Sequence, residues 1–381
     1  MKNNPFKKQI ERLKMEKALL RVAEQRDARM HKPDLRYLFW EATLLCNMEC
    51  RHCGSDCTKA IDTSNELTGD EIKRVLKEVA DAYNPRGIML AITGGEPLLR
   101  KDLFEIMSYA SSLGFPWGMV TNAYNVTPEK VEEARRSGMK TLVISIDGVE
   151  EDHNWLRGRK ESYARAVEAV KLFQQANFVR VLQVTSTITR RNIARLEEML
   201  KLVLALKVDH WRLLSVFPNG RAEVDTELIL SDEEYRKLLS FIADARKRRL
   251  PLRIYYGEEG FLGHDFEGRV RGFLYECRAG TTIAGIWANG EICACPNLPP
   301  EFIQGNIRNQ SFVQTWEKRF EIFRDRSWMK QWECKECAYW DFCLGNSLHL
   351  WDFSANRPKI CHLDMLGVNK RKGVIKRILG K

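Results

Sequence analysis

A chain of 381 residues with 44% hydrophobic content has enough apolar side chains for one large domain and a smaller appendage, which excludes disorder as its resting state. No run is apolar and long enough to span a bilayer, and the opening MKNNPFKKQIERLKMEK lacks the apolar core of a secretory signal, so the mature chain is expected to begin at Met1 and to work in the cytoplasm. The net charge of +10 suggests nucleic acid, but residues 1–36 hold eleven Lys/Arg against five Asp/Glu and residues 366–381 six against none, leaving 37–365 near −2 and disfavouring that partner.

Residues 6–30 read as a basic amphipathic helix closed by Pro33. From Arg36 onward short apolar runs alternate with helical segments. Strands are expected over 36–43, 87–92, 116–120, 140–146, 179–187 and 210–217, with helices over 70–82, 102–113, 128–137, 163–176 and 192–206 between them. Six such repeats imply an α/β fold, most simply a partial (β/α)6 TIM-like barrel with right-handed crossovers and function on the loops at the C-terminal strand ends. A helix over 231–249 and a strand near 252–256 lead into Cys277–Cys361, where seven of the eleven cysteines fall among aromatics and turn residues, as in a small metal-stapled domain. The expected organisation is a basic helical segment at 1–35, the barrel at 36–250, the cysteine-rich domain at 251–365 and a basic tail at 366–381.

Eleven cysteines without an export signal point to a reducing compartment, where clustered thiols bind metal more often than they pair. After the first expected strand comes Cys46-Asn-Met-Glu-Cys50-Arg-His-Cys53. Three thiolates on one short loop hold three corners of an iron–sulfur cubane and leave one iron open for chemistry. Structural zinc, with His52 or Cys57 as a fourth ligand, is the alternative. Directly after the second strand stands Thr93-Gly94-Gly95-Glu96-Pro97, where the glycines let the backbone approach a ligand closely.

These two motifs, one β/α unit apart, resemble the CxxxCxxC and GGEP motifs of the radical S-adenosylmethionine (SAM) superfamily. The resemblance implies a 4Fe-4S cluster on Cys46, Cys50 and Cys53 whose open iron chelates SAM, with His52 beside the adenine and Gly94, Gly95, Glu96 and Pro97 at the methionine amino group. Asn122 after the third strand, Ser145 and Asp147 after the fourth, Thr187 at the fifth and Pro218-Asn219-Gly220-Arg221 after the sixth stand where that family contacts ribose, carboxylate or adenine. Read alone, Asn122 and Asp147 are ordinary loop or cap residues. His153 and Arg157-Gly158 resemble a segment that often follows Ser-Ile-Asp-Gly; a solvated helix start is the plain reading.

Cys334, Cys337, Cys343 and Cys361 offer four thiolates, enough to close a cluster or a zinc site. With Cys277, Asn289-Gly290 and Cys295 upstream, the region is similar to the SPASM domain, which implies one or two auxiliary 4Fe-4S clusters. Ser347 stands where that pattern expects a cysteine. The second auxiliary cluster would thus have Cys277, Cys295 and the extra Cys293, with one iron open or held by another group, or would be absent. Cys57 reads as a packed thiol.

The resemblance implies reductive cleavage of SAM to a 5′-deoxyadenosyl radical that abstracts hydrogen from an unactivated carbon. Peptide or protein maturation is the expected activity, with a reductase, flavodoxin or ferredoxin as electron donor. A tetrapyrrole or carbohydrate oxidoreductase is the enzymatic alternative, and a non-catalytic zinc or iron–sulfur module that binds nucleic acid is the alternative of another class. The basic ends could meet an acidic leader or an anionic membrane surface.

Overall fold

In the computed structural model, which describes residues 5–257 and 260–368, the expected alternation forms one continuous, mostly parallel sheet. The strands β1 (Tyr37–Thr43), β2 (Met89–Gly94), β3 (Trp117–Thr121), β4 (Thr141–Ser145), β5 (Val181–Ile188), β6 (His210–Ser215) and β7 (Arg253–Tyr256) run in chain order, each parallel to the last. Helices α2 (Gly69–Ala82), α3 (Leu103–Leu113), α4 (Pro128–Arg136), α6 (Ser162–Ala176), α7 (Leu196–Ala205) and α8 (Asp232–Lys247) supply the crossovers. Their starts are written in the chain: Thr68 and Glu71 form a reciprocal capping box on α2, Ser231 and Glu234 form another on α8, and Thr127 followed by Pro128 opens α4. The short helix α5 (Glu151–Arg157) is additional to the elements read from the sequence.

Along β1, Leu38, Trp40 and Ala42 are buried against the helical layer, while Tyr37 and Phe39 alternate to the inner face. Phe39 shares one cavity with His210 of β6 and Arg253 of β7, several strands away in the sheet, so the sheet curls into a partial barrel. Its first strand is not an edge: β8 (Ile283–Ile286) pairs parallel with β1, and β9 (Glu291–Cys293) and β10 (Gly305–Asn306) continue antiparallel. The boundary expected at 250/251 is therefore crossed by the sheet, with β7 at one end and β8, β9 and β10 beyond β1 at the other.

The N-terminal helix α1 (Pro5–His31) also departs from a solvated segment. Leu19 is 2% exposed among Phe261, Tyr275, Tyr339 and Leu363, and Arg29 closes on the buried Glu276 through contacts of 3.1 and 2.6 Å. Arg26 donates to the Asp341 carbonyl at 2.9 Å. Helix α1 is thus built onto the cysteine-rich region. Most of the basic tail expected at 366–381 lies outside the described residues. Among the described residues no helix is long and apolar enough to cross a membrane.

Candidate functional site

The loop after β1 is shaped by its neighbours before any ligand is considered. Gly95 donates to Thr43 O at 2.7 Å and Glu96 to Leu45 O at 2.9 Å, which presses the β2 turn against the start of the cysteine loop. A Cβ on Gly95 would stand 2.3 Å from Leu45 O, and one on Gly94, whose φ is +124°, would stand 2.2 Å from Thr43 O. Close approach of protein backbone is thus by itself enough to require glycine at both positions. Glu96 is likewise spent internally: its carboxylate accepts from Thr121 Oγ1 at 2.7 Å, Asn122 N at 2.8 Å and Leu98 N at 3.1 Å, and burial pushes its pKa up. It fixes the β3 loop against the β2 turn, a positioning role within the protein. Pro97 opens the short turn that follows.

Three arginines from later strand ends hold the cysteine loop. Arg221 donates to Cys50 O at 2.7 Å, Arg159 to Asn47 O at 2.7 Å, and Arg157 points Nη1 at Cys50 Sγ from 3.7 Å while Nε meets Asp147 Oδ2 at 2.5 Å. Burial would raise the Asp147 carboxyl, but the charges of Arg157, His52 and His153 prevail and bring it to about 2. Asp147 Oδ1 also accepts from Thr187 N at 2.8 Å, and Asn192 ties Asp147 O to Thr187 O. Asp147 therefore bridges Thr187 and Arg157. Ser145 is buried at the end of β4, opposite Thr185.

Cys46 and Cys50 are buried and Cys53 is half-buried. Burial raises Cys46 to about 11, while a hydrogen bond from the Cys57 thiol draws Cys53 below an ordinary thiol. Cys57 is a packed thiol at 2% exposure. Burial, reinforced by Arg157, lowers His52 to about 4 and keeps its ring neutral, and its buried Nδ1 has no hydrogen-bond partner among the described residues. Asn122 Nδ2 donates to Asn47 Oδ1 at 2.8 Å and lies 3.9 Å from Cys46 Sγ; the buried Asn47 Nδ2 has no hydrogen-bond partner among the described residues. Three thiols on one loop beside cations and orphaned polar atoms fit an anionic iron–sulfur cluster with a polar ligand. Among the described residues no group of three or more His, Cys, Asp or Glu side chains is already drawn together around a single ion position.

Cys334, Cys337, Cys343 and Cys361 surround one small recess of about 20 Å³. Cys343 is raised well above an ordinary thiol by burial and then by the other three sulfurs, a donor set suited to a fully ligated cluster. The second set is incomplete. Cys277 and Cys295 face a larger cavity with Ser347 and His349, whereas Cys293 is wholly buried, its Sγ 3.5 Å from Phe302 O and its pKa pushed by burial up to about 12. The extra Cys293 thus does not line the cavity that Cys277 and Cys295 face. Ser347 Oγ donates to His349 Nδ1 at 3.2 Å, and His349 Nε2 to Pro296 O at 2.9 Å.

This cavity, about 950 Å³, was not legible in the sequence. It follows the seam between β7 and β8 and reaches Leu214 and Phe217 at the end of β6, four residues before the Arg221 that grips the cysteine loop. The intervening turn also locks the two regions together. Asn219 donates to His349 O at 2.8 Å, Lys359 to Asn219 Oδ1 at 3.0 Å, and a Cβ on Gly220 would stand 2.5 Å from Cys53 O.

Residues 40–203 match the family model described as "Radical SAM superfamily", and residues 277–338 match SPASM, an "Iron-sulfur cluster-binding domain". The "AdoMet-dependent heme synthase" of Methanosarcina barkeri is 29% identical over 330 residues, 81% of this chain and 90% of that one. The "Mycofactocin maturase MftC" of Mycolicibacterium smegmatis is 28% identical over 314 residues, 82% of this chain and 77% of that one. Among solved structures, Streptococcus suis SuiB bound to S-adenosylmethionine superposes with a TM-score of 0.65 at 20% identity, covering 89% and 83% of the two chains, which supports the fold. Motifs, sheet and cysteine sets agree with these matches: the chain belongs to the radical SAM superfamily, carries a C-terminal SPASM domain, and has 4Fe-4S clusters and SAM as its cofactors.

Proposed function

We propose that the chain is a peptide or protein maturase that oxidises or cross-links a substrate seated in the cavity along the β7–β8 seam. In this reading Cys46, Cys50 and Cys53 hold the SAM-binding cluster, Cys334, Cys337, Cys343 and Cys361 hold a closed auxiliary cluster, and Cys277 and Cys295 border a second auxiliary position. Bound to these residues, the clusters and SAM supply one-electron reduction, a 5′-deoxyadenosyl radical and an outlet for the substrate's electron. The protein does the rest. Asn47, His52 and Asn122 offer polar contacts beside the cysteine loop, Arg157 and Arg221 neutralise and hold it, and the walls of the cavity keep the reacting carbon in place and water out.

The observation that carries this reading is the cavity itself, which joins Cys277 and Cys295 to the β6 end beside the cysteine loop and has room for a stretch of peptide. The maturase named among the relatives supports it. A tetrapyrrole side-chain oxidoreductase is the second reading, favoured by the relatives named heme synthases and by the aromatic walls Phe39, Phe217, Tyr255 and Phe273. A flavodoxin or ferredoxin would serve as electron donor in either case.

Anaerobically reconstituted protein with dithionite and SAM should release 5′-deoxyadenosine, and Cys46→Ala should abolish the release. Mass spectrometry of candidate peptides and of iron porphyrins then separates the readings by which one loses hydrogen in step with SAM cleavage. Wild-type protein that carries its clusters and releases no 5′-deoxyadenosine would refute both.

A further inference from the structure

The wall of the 950 Å³ cavity changes character along its length. The end near the cysteine loop is apolar and aromatic, with Leu214, Phe217 and His349 beside Cys295. The opposite end, at the N-terminal ends of β6, β7 and β8, collects Arg212, Arg246, Arg249, Arg253 and Arg278. Among the described residues no Asp or Glu lines the cavity. The neighbouring acids are engaged elsewhere: Asp209 accepts from Leu182 N at 2.8 Å, and Glu276, which stands 3.7 Å from Arg278, is closed by Arg29 at 2.6 Å. Arg246 is anchored by donation to Ile254 O at 2.6 Å, and Arg212 by a 3.3 Å contact to Thr185 Oγ1. Arg249 and Arg253 make no side-chain ion pair or hydrogen bond with the described residues.

Such a concentration of guanidinium groups, with only Arg278 sharing an acid in Glu276, is unusual for a wall whose charges merely serve solubility. Five cations around one concave space repel one another, and elsewhere on this surface arginines sit beside acids, as Arg135 and Arg136 do with Glu132. The planar fork of arginine is suited to bidentate recognition of carboxylates. We infer that this arginine-lined end is a carboxylate-binding subsite that anchors acidic groups of the substrate and leaves its apolar part facing Cys277, Cys295 and the β6 end. The subsite rests on the substrate cavity of the proposed function and names the chemistry that cavity selects. The anchored carboxylates belong either to Asp, Glu or C-terminal groups of a peptide or to the acidic side chains of a tetrapyrrole.

The test measures binding to the anaerobically reconstituted protein without turnover. The probes are a fluorescent hexaglutamate peptide, its hexaglutamine counterpart, a porphyrin tetracarboxylate and its tetra-amide. The acidic member of at least one pair should bind about tenfold or more tightly than its neutral partner, and its affinity should fall with added salt. Arg249→Gln with Arg253→Gln should erase that advantage, whereas Arg135→Gln with Arg136→Gln, which removes the same charge from α4, should preserve it. Preference for the peptide pair assigns the carboxylates to a peptide, and preference for the porphyrin pair assigns them to a tetrapyrrole. No preference for either acidic probe, or a preference that survives the Arg249/Arg253 variant, would overturn the subsite. Release of 5′-deoxyadenosine by the wild type, measured without a probe, tests the enzymatic reading separately.

Discussion

Arg157 concentrates the electrostatics of the cysteine loop in one side chain. It is 9% exposed, its Nε lies 2.5 Å from the fully buried Asp147 and its Nη1 3.7 Å from Cys50 Sγ. Removing it strands a carboxylate in a low-dielectric interior, so Arg157→Leu should cost about 3–5 kcal/mol in urea unfolding of the protein. The pH dependence follows the same pair. Asp147 titrates at about 2 in the fold, below its ordinary 3.8, so its contribution is complete above the ordinary value and is lost as pH falls toward 2. The variant should lack that portion of the acid limb. A guanidinium beside a thiolate also favours the reduced cluster, and a redox titration followed by electron paramagnetic resonance should find a more negative potential in Arg157→Leu. None of this was legible from Arg157-Gly158 in the sequence, because an arginine near a helix end reads as solvated charge until its partners, ten and 107 residues away, are known.

At the scale of elements, the turn after β2 shows how a motif can be recognised for one reason and required for another. Gly94 and Gly95 were legible as a close-approach turn, but the approaching groups are Thr43 O, Leu44 O and Leu45 O at the end of β1. These are backbone atoms within a paired strand and its exit, and they cannot swing aside as a side chain would. Gly95→Ala should therefore destabilise the fold by about 1–3 kcal/mol and lower the iron and sulfide retained per chain, measured by denaturation and by metal analysis. Gly272→Ala, where an added Cβ meets nothing within 4 Å, should change neither. Strand ends also settled the fate of two cysteines. Cys293 and Cys295 have the same parity, which along a strand would place both on one face, but β9 ends at Cys293 and the chain turns. Cys293 stays in the core and Cys295 reaches the cavity.

At the scale of the molecule, the cysteine-rich region is tied to the rest at several places, among them β8 against β1, the Asn219 turn against His349 and Lys359, Arg308 against Glu71 of α2, and helix α1 against the Cys337–Cys361 side. Leu19 of α1 is the apolar anchor of the last contact, and Leu19→Ala should cost about 2–5 kcal/mol. Because Tyr339 and Leu363 lie under it, next to the recess of Cys337 and Cys361, thermal unfolding of the reconstituted variant should show earlier loss of iron–sulfur absorbance from the SPASM region. An unchanged melting profile would mean that α1 adds nothing to that region's stability.

By itself, the order of residues determined the features that depend on short spacing: CxxxCxxC, the Gly-Gly-Glu-Pro turn, the alternation of strands and helices with their caps, and the four-thiolate set. Each of these is local because its chemistry is decided within a few bonds or one β/α unit. Tertiary packing alone decided that β8 would cover β1, that Glu96 and Asp147 would turn inward as braces, that Cys293 would stay behind the cavity that Cys295 reaches, and that five arginines would meet around one cavity. Those outcomes depend on which surfaces pack across a hundred or more residues, and burial and charge neutralisation act only between groups that the fold has already brought together.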